Sequence, residues 1–259
     1  MEGNALDLLT GAGKSLASTL AKTFATNVIE RWTKKRAEKF FETFQHEIAR
    51  ARVLGDNPEA LGATLDHMMS TELGSEILFD AYRKVCISKS KVIGPRIIGF
   101  LSAELCLEGR LANDIEELYF SVAETLSDTE LLNVASTIEN WVSAAERKDN
   151  KDIFNHDGFT FYVLVREESN LSSGESNEVD MVLGNLDEDF GVGIEKLKNL
   201  GLLIPSIRQS TIHVPEDSER HIDYDMTVQI VEKKVSFPLK YRRLISLISS
   251  MSKGVNGDR

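Results

Sequence analysis

The chain has 259 residues, of which 42% are hydrophobic and 27% are charged. It is therefore long enough for one large or two small domains, and too apolar to be globally disordered. A net charge of −11 argues against a protein that coats nucleic acid. The charge is uneven, because residues 1–54 carry nine Lys and Arg against six Asp and Glu and are positive overall.

The start of the chain and its apolar segments predict a cytoplasmic protein without a transmembrane span. Residues 1–14 lack the basic start and apolar run of a signal peptide. Val92–Leu107 is the longest apolar stretch, but Pro95, Arg96 and Glu104 interrupt it and it is too short to cross a bilayer. Cys86 and Cys106 fit no metal or redox spacing and are expected to act as small buried hydrophobes; nothing in the sequence calls for a disulfide.

Helical periodicity dominates the first 150 residues. In residues 1–54, apolar side chains recur every four or seven positions, which predicts a long basic N-terminal helix that packs on a bundle. Residues 55–150 are predicted to form that bundle, with a nearly all-apolar central helix over Val92–Leu107 that Gly109 ends. Ser127-Asp-Thr-Glu130 has the form of a capping box and predicts the start of the last helix.

The tail, residues 158–253, changes character. A charged linker is predicted over Glu146–Asp157, then a strand or buried helix over Phe159–Val165. The expected later elements are a mobile loop at 167–176, helices at 177–183 and 187–200, strands at 203–214 and 223–231, and a closing helix at 239–251. Two helices followed by two antiparallel strands indicate a winged helix. The predicted fold is thus mainly α, with a helical bundle followed by a small winged-helix-like α/β domain.

A phosphate-binding loop is suggested, and then excluded, by Gly11-Ala-Gly-Lys-Ser15. The motif requires a glycine where Leu8 stands and a preceding strand where the flanks predict helix. No arrangement of nucleophile and base is apparent along the chain, so we expect neither a catalytic site nor a cofactor.

Acidic residues surround the predicted junction between two helices. The candidate oxygen ligands for a divalent cation are Glu104, Glu108, Asp114 and Glu117. Their spacing is not that of an EF-hand loop, and acids at a helix N-terminus are also favoured by the helix dipole. The prediction is therefore that the chain holds no metal.

Two basic clusters could contact nucleic acid or another anionic partner. The first lies on the N-terminal helix and the second at the start of the closing helix: Arg31, Lys34, Lys35, Arg36 and Lys39, and Lys240, Arg242 and Arg243. The first cluster spreads around its helix, which favours a solvated helix face over a binding stripe. The predicted reading helix of the wing starts with Asp187-Glu-Asp189, which would repel phosphates, so protein contact is favoured over nucleic-acid contact.

Two segments resemble known families. Ser102–Phe120 followed by Leu126–Leu131 is similar to the helix–turn–helix rhythm of tellurite-resistance TerB-like domains, although Glu108-Gly109 stands where that family has Asp-Gly. The order of parts (basic helix, helical bundle, then Leu197–Leu203 opening the tail) resembles abortive-infection alpha-type bacterial phage-defence proteins. That resemblance implies a non-enzymatic role in phage exclusion or stress.

The sequence therefore predicts an accessory protein that contacts another protein and forms an oligomer through its N-terminal helix. The alternative is a nucleic-acid-binding regulator that uses the tail and the basic N-terminal helix.

Overall fold

The computed structural model describes residues 30–52, 58–146, 154–156, 160–171, 179–182, 193–214 and 226–253. Several sequence predictions fall outside these residues. They are the helix before residue 30, the motif at 11–15, most of the linker and the acidic segment at 187–189. By internal contacts, the chain divides into one unit that ends at Asn113 and another that begins at Asp114.

Within its described residues, the first unit contains four helices. They are α1 (Glu30–Ala51), α2 (Pro58–Ser70), α3 (Glu72–Ile87) and α4 (Ile93–Glu108). Thr71 begins α3, because its hydroxyl accepts a hydrogen bond of 3.1 Å from the backbone N–H of Gly74. Gly109 ends α4 in the left-handed conformation, with φ of 63°, so the predicted helix end is confirmed.

Helix α4 lies at the centre of this unit, packed against α1 and α3. Its buried residues lie on all sides of the helix and include Ile97, Ile98 and Leu101, which confirms the predicted central helix. Gly99 permits a close approach to α1, since a Cβ atom there would lie 2.5 Å from the carbonyl oxygen of Phe40. The core of the unit therefore forms where α1 and α4 meet.

The second unit combines helices with a sheet. Its elements are α5 (Asp114–Thr125), α6 (Asp128–Glu146), β1 (Phe154–His156), β2 (Thr160–Leu171), β3 (Val179–Val182), α7 (Ile194–Asn199), β4 (Ile204–Val214), β5 (Met226–Pro238), a 3-10 turn (Leu239–Tyr241) and α8 (Arg242–Ser252). Ser127 and Glu130 form the predicted capping box of α6, each side chain bonding the backbone N–H of the other residue.

The sheet is antiparallel, with β5 between β2 and β4. Both β1 and β3 pair with β2, β1 near its start and β3 near its end. Helix α8 follows the sheet and buries Leu244, Ile245 and Ile248. The predicted strand at 203–214 and the closing helix at 239–251 are confirmed within two or three residues at each end.

Three predictions for the tail are wrong. Residues 167–171, expected in a loop, continue β2, and the helix expected at 177–183 is replaced by β3. Residues 154–156, expected in the linker, form β1. The physical reason is the same in each case: backbone hydrogen bonds to a partner strand stabilise an extended conformation that the local sequence does not specify.

Contacts group the helices differently from the predicted domains 55–150 and 158–253. Helices α5 and α6 belong with the sheet, because α6 packs against α8 and β1. The hydroxyl of Tyr119 on α5 also donates a 3.2 Å hydrogen bond to the carbonyl of Lys240. The fold class is nonetheless as predicted: mainly helical, with a smaller antiparallel sheet in the C-terminal part.

Candidate protein-contact surface

The basic residues of α1 have unequal surroundings. Lys34 and Lys35 are exposed. Arg36 instead donates to the carbonyl oxygens of Cys86 at 3.3 Å and Ser90 at 3.2 Å, and so satisfies backbone groups at the end of α3. The side chain of Arg31 lies outside the described residues. Lys34 and Lys35 therefore face solvent, while Arg36 connects α1 to the end of α3.

Lys39, the last residue of that cluster, forms an ion pair of 2.8 Å with Glu42. The hydrogen bond from Lys39 outweighs burial and lowers the pKa of the Glu42 carboxyl. Lys39 thus has an acidic neighbour on its own helix.

The second basic cluster lies at the start of α8. Lys240, Arg242 and Arg243 are all exposed. The ammonium group of Lys240 lies 4.9 Å from the centre of the Tyr241 ring. Because these cations lie at the start of α8, they adjoin the positive end of its dipole. The first turn of α8 carries no acidic residue that would offset this positive charge. This is the more accessible of the two predicted cation clusters.

The acidic candidates for a metal site lie at two helix ends. Glu104 and Glu108 belong to the last turns of α4, and Asp114 and Glu117 to the first turn of α5. Glu108 forms an ion pair of 2.5 Å with Arg110. Within the described segments, no group of three or more His, Cys, Asp or Glu side chains is placed to hold a metal ion.

The cysteines are free thiols and are half-buried, where full burial was expected. Cys86 lies on α3 and Cys106 on α4. Burial raises the pKa of the Cys106 thiol to about 11, so this group is protonated at neutral pH. Cys106 also lines a cavity of about 240 Å³, together with Met68, Leu73 and Ile77. That volume lies below the usual range for a small-molecule site, about 300–1,000 Å³.

Helix α3 presents large apolar side chains to solvent. The side of the helix that contains Ile77, Ala81 and Val85 is buried, as its periodicity predicts. On the other side, Phe79 is 73% exposed and Tyr82 is 42% exposed. These two aromatic residues were not singled out from the sequence; the signal that could have found them is that both lie off the helical stripe that contains Ile77, Ala81 and Val85.

We define the α3 face as the residues on the solvent side of this helix. It consists of Glu72, Ser75, Glu76, Phe79, Tyr82, Arg83, Cys86 and Ile87. All except the half-buried Cys86 are exposed, and Ile87 at the C-terminal end is 57% exposed. The hydrogen bond with Cys86 is the main cause that raises the pKa of Tyr82, so these two side chains are neighbours on the face.

Charge is distributed unevenly along α3. Its first half carries the exposed acids Glu72 and Glu76. In its second half, Asp80 accepts hydrogen bonds from Arg83 at 2.7 Å and Lys84 at 2.6 Å. Burial raises the pKa of Asp80, but the hydrogen bonds from the two cations outweigh it, so the net pKa is lowered. Because two cations surround this single carboxylate, the second half of α3 carries a net positive charge.

Comparison with known proteins yields no relative: no family model, no curated protein and no solved structure matches this chain. The resemblances to TerB-like domains and to abortive-infection alpha-type proteins thus stay predictions. Among the described helices, none has the length and apolar character needed to traverse a membrane.

Proposed function

We propose that this protein is a non-enzymatic accessory component of a bacterial defence or stress system, acting through protein–protein contacts in the cytoplasm. The observation that carries the proposal is the α3 face, with exposed Phe79, Tyr82 and Ile87. Contiguous exposed apolar side chains bordered by charges are typical of protein-interaction sites. Aromatic residues and Arg are also the residues that dominate binding energy at interfaces.

The defence or stress setting has a separate basis, the resemblance in the order of parts to abortive-infection alpha-type proteins. The segment Leu197–Leu203 that carries part of this resemblance includes the end of α7, and Leu197, Leu202 and Leu203 are buried. These leucines therefore stabilise the second unit and are not available to a partner. The partner is proposed to bind the α3 face instead.

The test is affinity purification of the tagged full-length chain from bacterial cells, comparing Phe79→Asp with Leu132→Asp. Leu132 on α6 is 42% exposed and serves as a matched control for placing a charge on an exposed apolar residue. The proposal expects a stoichiometric protein partner that Phe79→Asp loses and Leu132→Asp keeps. A partner that both variants retain equally would show that the α3 face does not bind it.

A second candidate function is nucleic-acid binding, favoured by the exposed Lys240, Arg242 and Arg243 that follow the β4–β5 hairpin. In a winged helix, the hairpin and the adjoining helix could contact the phosphate backbone. Binding would weaken steeply with salt, because contacts to phosphates release counterions. An Arg242→Glu, Arg243→Glu double variant that binds DNA and RNA as the wild type does would exclude this use of the tail.

A further inference from the structure

We propose that the α3 face pairs two copies of this chain as a homodimer, with the two α3 helices antiparallel about a two-fold axis near Phe79. The inference rests on the proposed function and identifies a second copy of this chain as the partner that binds the α3 face. It differs from oligomerisation through the N-terminal helix, which the sequence suggested.

Helical geometry arranges the α3 face in three rows. With 3.6 residues per turn, Glu72, Phe79 and Cys86 fall in one line along the middle of the face. Glu76 and Arg83 lie on one flank, and Ser75 and Tyr82 lie on the other. Phe79 is thus central in both directions, with an acid one turn before it and a cation one turn after it on the same flank.

A two-fold axis perpendicular to the paired helices keeps each flank on its own side and reverses the direction of the chain. Glu76 of each copy then faces Arg83 of the other, which gives two opposite-charge pairs around a centre formed by the two Phe79 rings. A parallel pair, related by an axis along the helices, would exchange the flanks and place Glu76 beside Ser75 and Arg83 beside Tyr82, with no opposite-charge pair. Complementary charge therefore selects the antiparallel orientation.

Arg83 can make this contact while it keeps its bond to Asp80. A guanidinium group has five N–H donors, and Arg83 uses Nε and one terminal nitrogen for Asp80, at 3.3 and 2.7 Å. Its side chain is 60% exposed, so a carboxylate of a second copy can approach the guanidinium group from the solvent side. The buried partner on the other side of Asp80 is Lys84, which lies off the α3 face.

A single helix face forms a small interface, and small interfaces belong to the weak and reversible class. We therefore expect a dissociation constant on the order of micromolar. Phe79, which at 73% is the most exposed large apolar residue in the part of the chain that the structure describes, lies at the centre of the contact, where hot-spot residues are found.

The experiment is sedimentation equilibrium of the full chain over a range of concentrations, at low and high salt. Wild type and Leu132→Asp should dimerise equally, and Phe79→Asp should weaken the dimer at least tenfold. Glu76→Arg and Arg83→Glu should each weaken it, because each creates two like-charge contacts. A mixture of these two variants should restore dimers, since both pairs at their shared interface are again opposite in charge.

Restoration on mixing excludes misfolding as the cause of the single-variant defects, and the Glu76→Arg, Arg83→Glu double variant should dimerise by itself for the same reason. A monomeric wild type, or single variants that mixing does not rescue, would overturn the pairing. If such a monomer still loses another protein partner through Phe79→Asp, the pairing fails and the proposed function stands. If Phe79→Asp also loses no other protein partner, both the pairing and the proposed function are wrong.

Discussion

Helices α3 and α4 are consecutive, have sixteen residues each and pack against each other, yet they use their apolar residues differently. Helix α4 buries Ile93, Ile97, Ile98 and Leu101 almost completely. Helix α3 buries one side and leaves Phe79 and Tyr82 in solvent. The hydrophobic residues of α4 are thus explained by the stability of its unit, whereas those of the α3 face are assigned by our proposal to a contact with a second copy.

The comparison predicts that substitutions in the two helices separate stability from association. The largest effect should come from Leu101→Ala, since Leu101 is 1% exposed. Removing this side chain leaves a cavity and should cost about 2–5 kcal/mol in the free energy of unfolding. Urea denaturation followed by circular dichroism would measure it. A loss below about 1 kcal/mol would mean that α4 is less closely packed than described.

Gly99→Ala should have the next largest effect. The added methyl group would meet the carbonyl of Phe40 at 2.5 Å, so α1 and α4 must separate. Overpacking of this kind should lower the free energy of unfolding by about 1–3 kcal/mol. Gly62→Ala is the control, because a Cβ atom there meets nothing within 4 Å. Equal stability of the two variants in parallel denaturation curves would contradict the close contact between α1 and α4.

Asp80→Asn should have a smaller effect that depends on pH. The folded pKa of Asp80 is lowered, so its contribution is present above the unfolded pKa and is lost as the pH falls through the folded pKa. The carboxylate is 40% exposed, and solvent screening limits the loss at pH 7 to about 0.5 kcal/mol. Denaturation at pH 7 and pH 3 should give a difference between wild type and variant at pH 7 only. A difference that persists at pH 3 would refute an electrostatic origin.

Phe79→Ala should change stability least of all. The ring touches solvent over most of its surface, so the free energy of unfolding of the monomer should change by less than about 0.5 kcal/mol. The same substitution should weaken self-association, which makes it the counterpart of Leu101→Ala. Thermal denaturation at a concentration where the wild type is monomeric would test this. A large loss there would show that Phe79 belongs to the core.

Local patterns predicted the elements that local physics determines. The burial of α4 follows from its apolar composition, its end from Gly109, and the start of α6 from the capping box of Ser127 and Glu130. Strand β3 could not be predicted in this way, because Val179–Val182 is extended through pairing with β2, and a short segment carries no signal of its partner.

The candidate surface was only partly accessible to sequence reasoning. The charge of Arg36 suggested an anionic ligand, but its partners are carbonyl groups 50 and 54 residues away, which no local pattern reveals. Glu130 likewise ends in an ion pair with Lys196 on α7, beyond its capping role. The burial of Ile77, Ala81 and Val85 follows the helical periodicity of α3, whereas the importance of Phe79 and Tyr82 became visible only once their exposure was known.

The most direct test of the central claim uses the two native cysteines of the unmodified protein. Cys86 lies in the middle row of the α3 face, two turns after Phe79, and Cys106 lies on α4, where its raised pKa slows reaction with alkylating reagents. If two α3 faces pair, alkylation of Cys86, followed by mass spectrometry, should slow as protein concentration rises through the dissociation constant, while Cys106 reacts at an unchanged rate. A Cys86 rate that is independent of concentration would contradict the account.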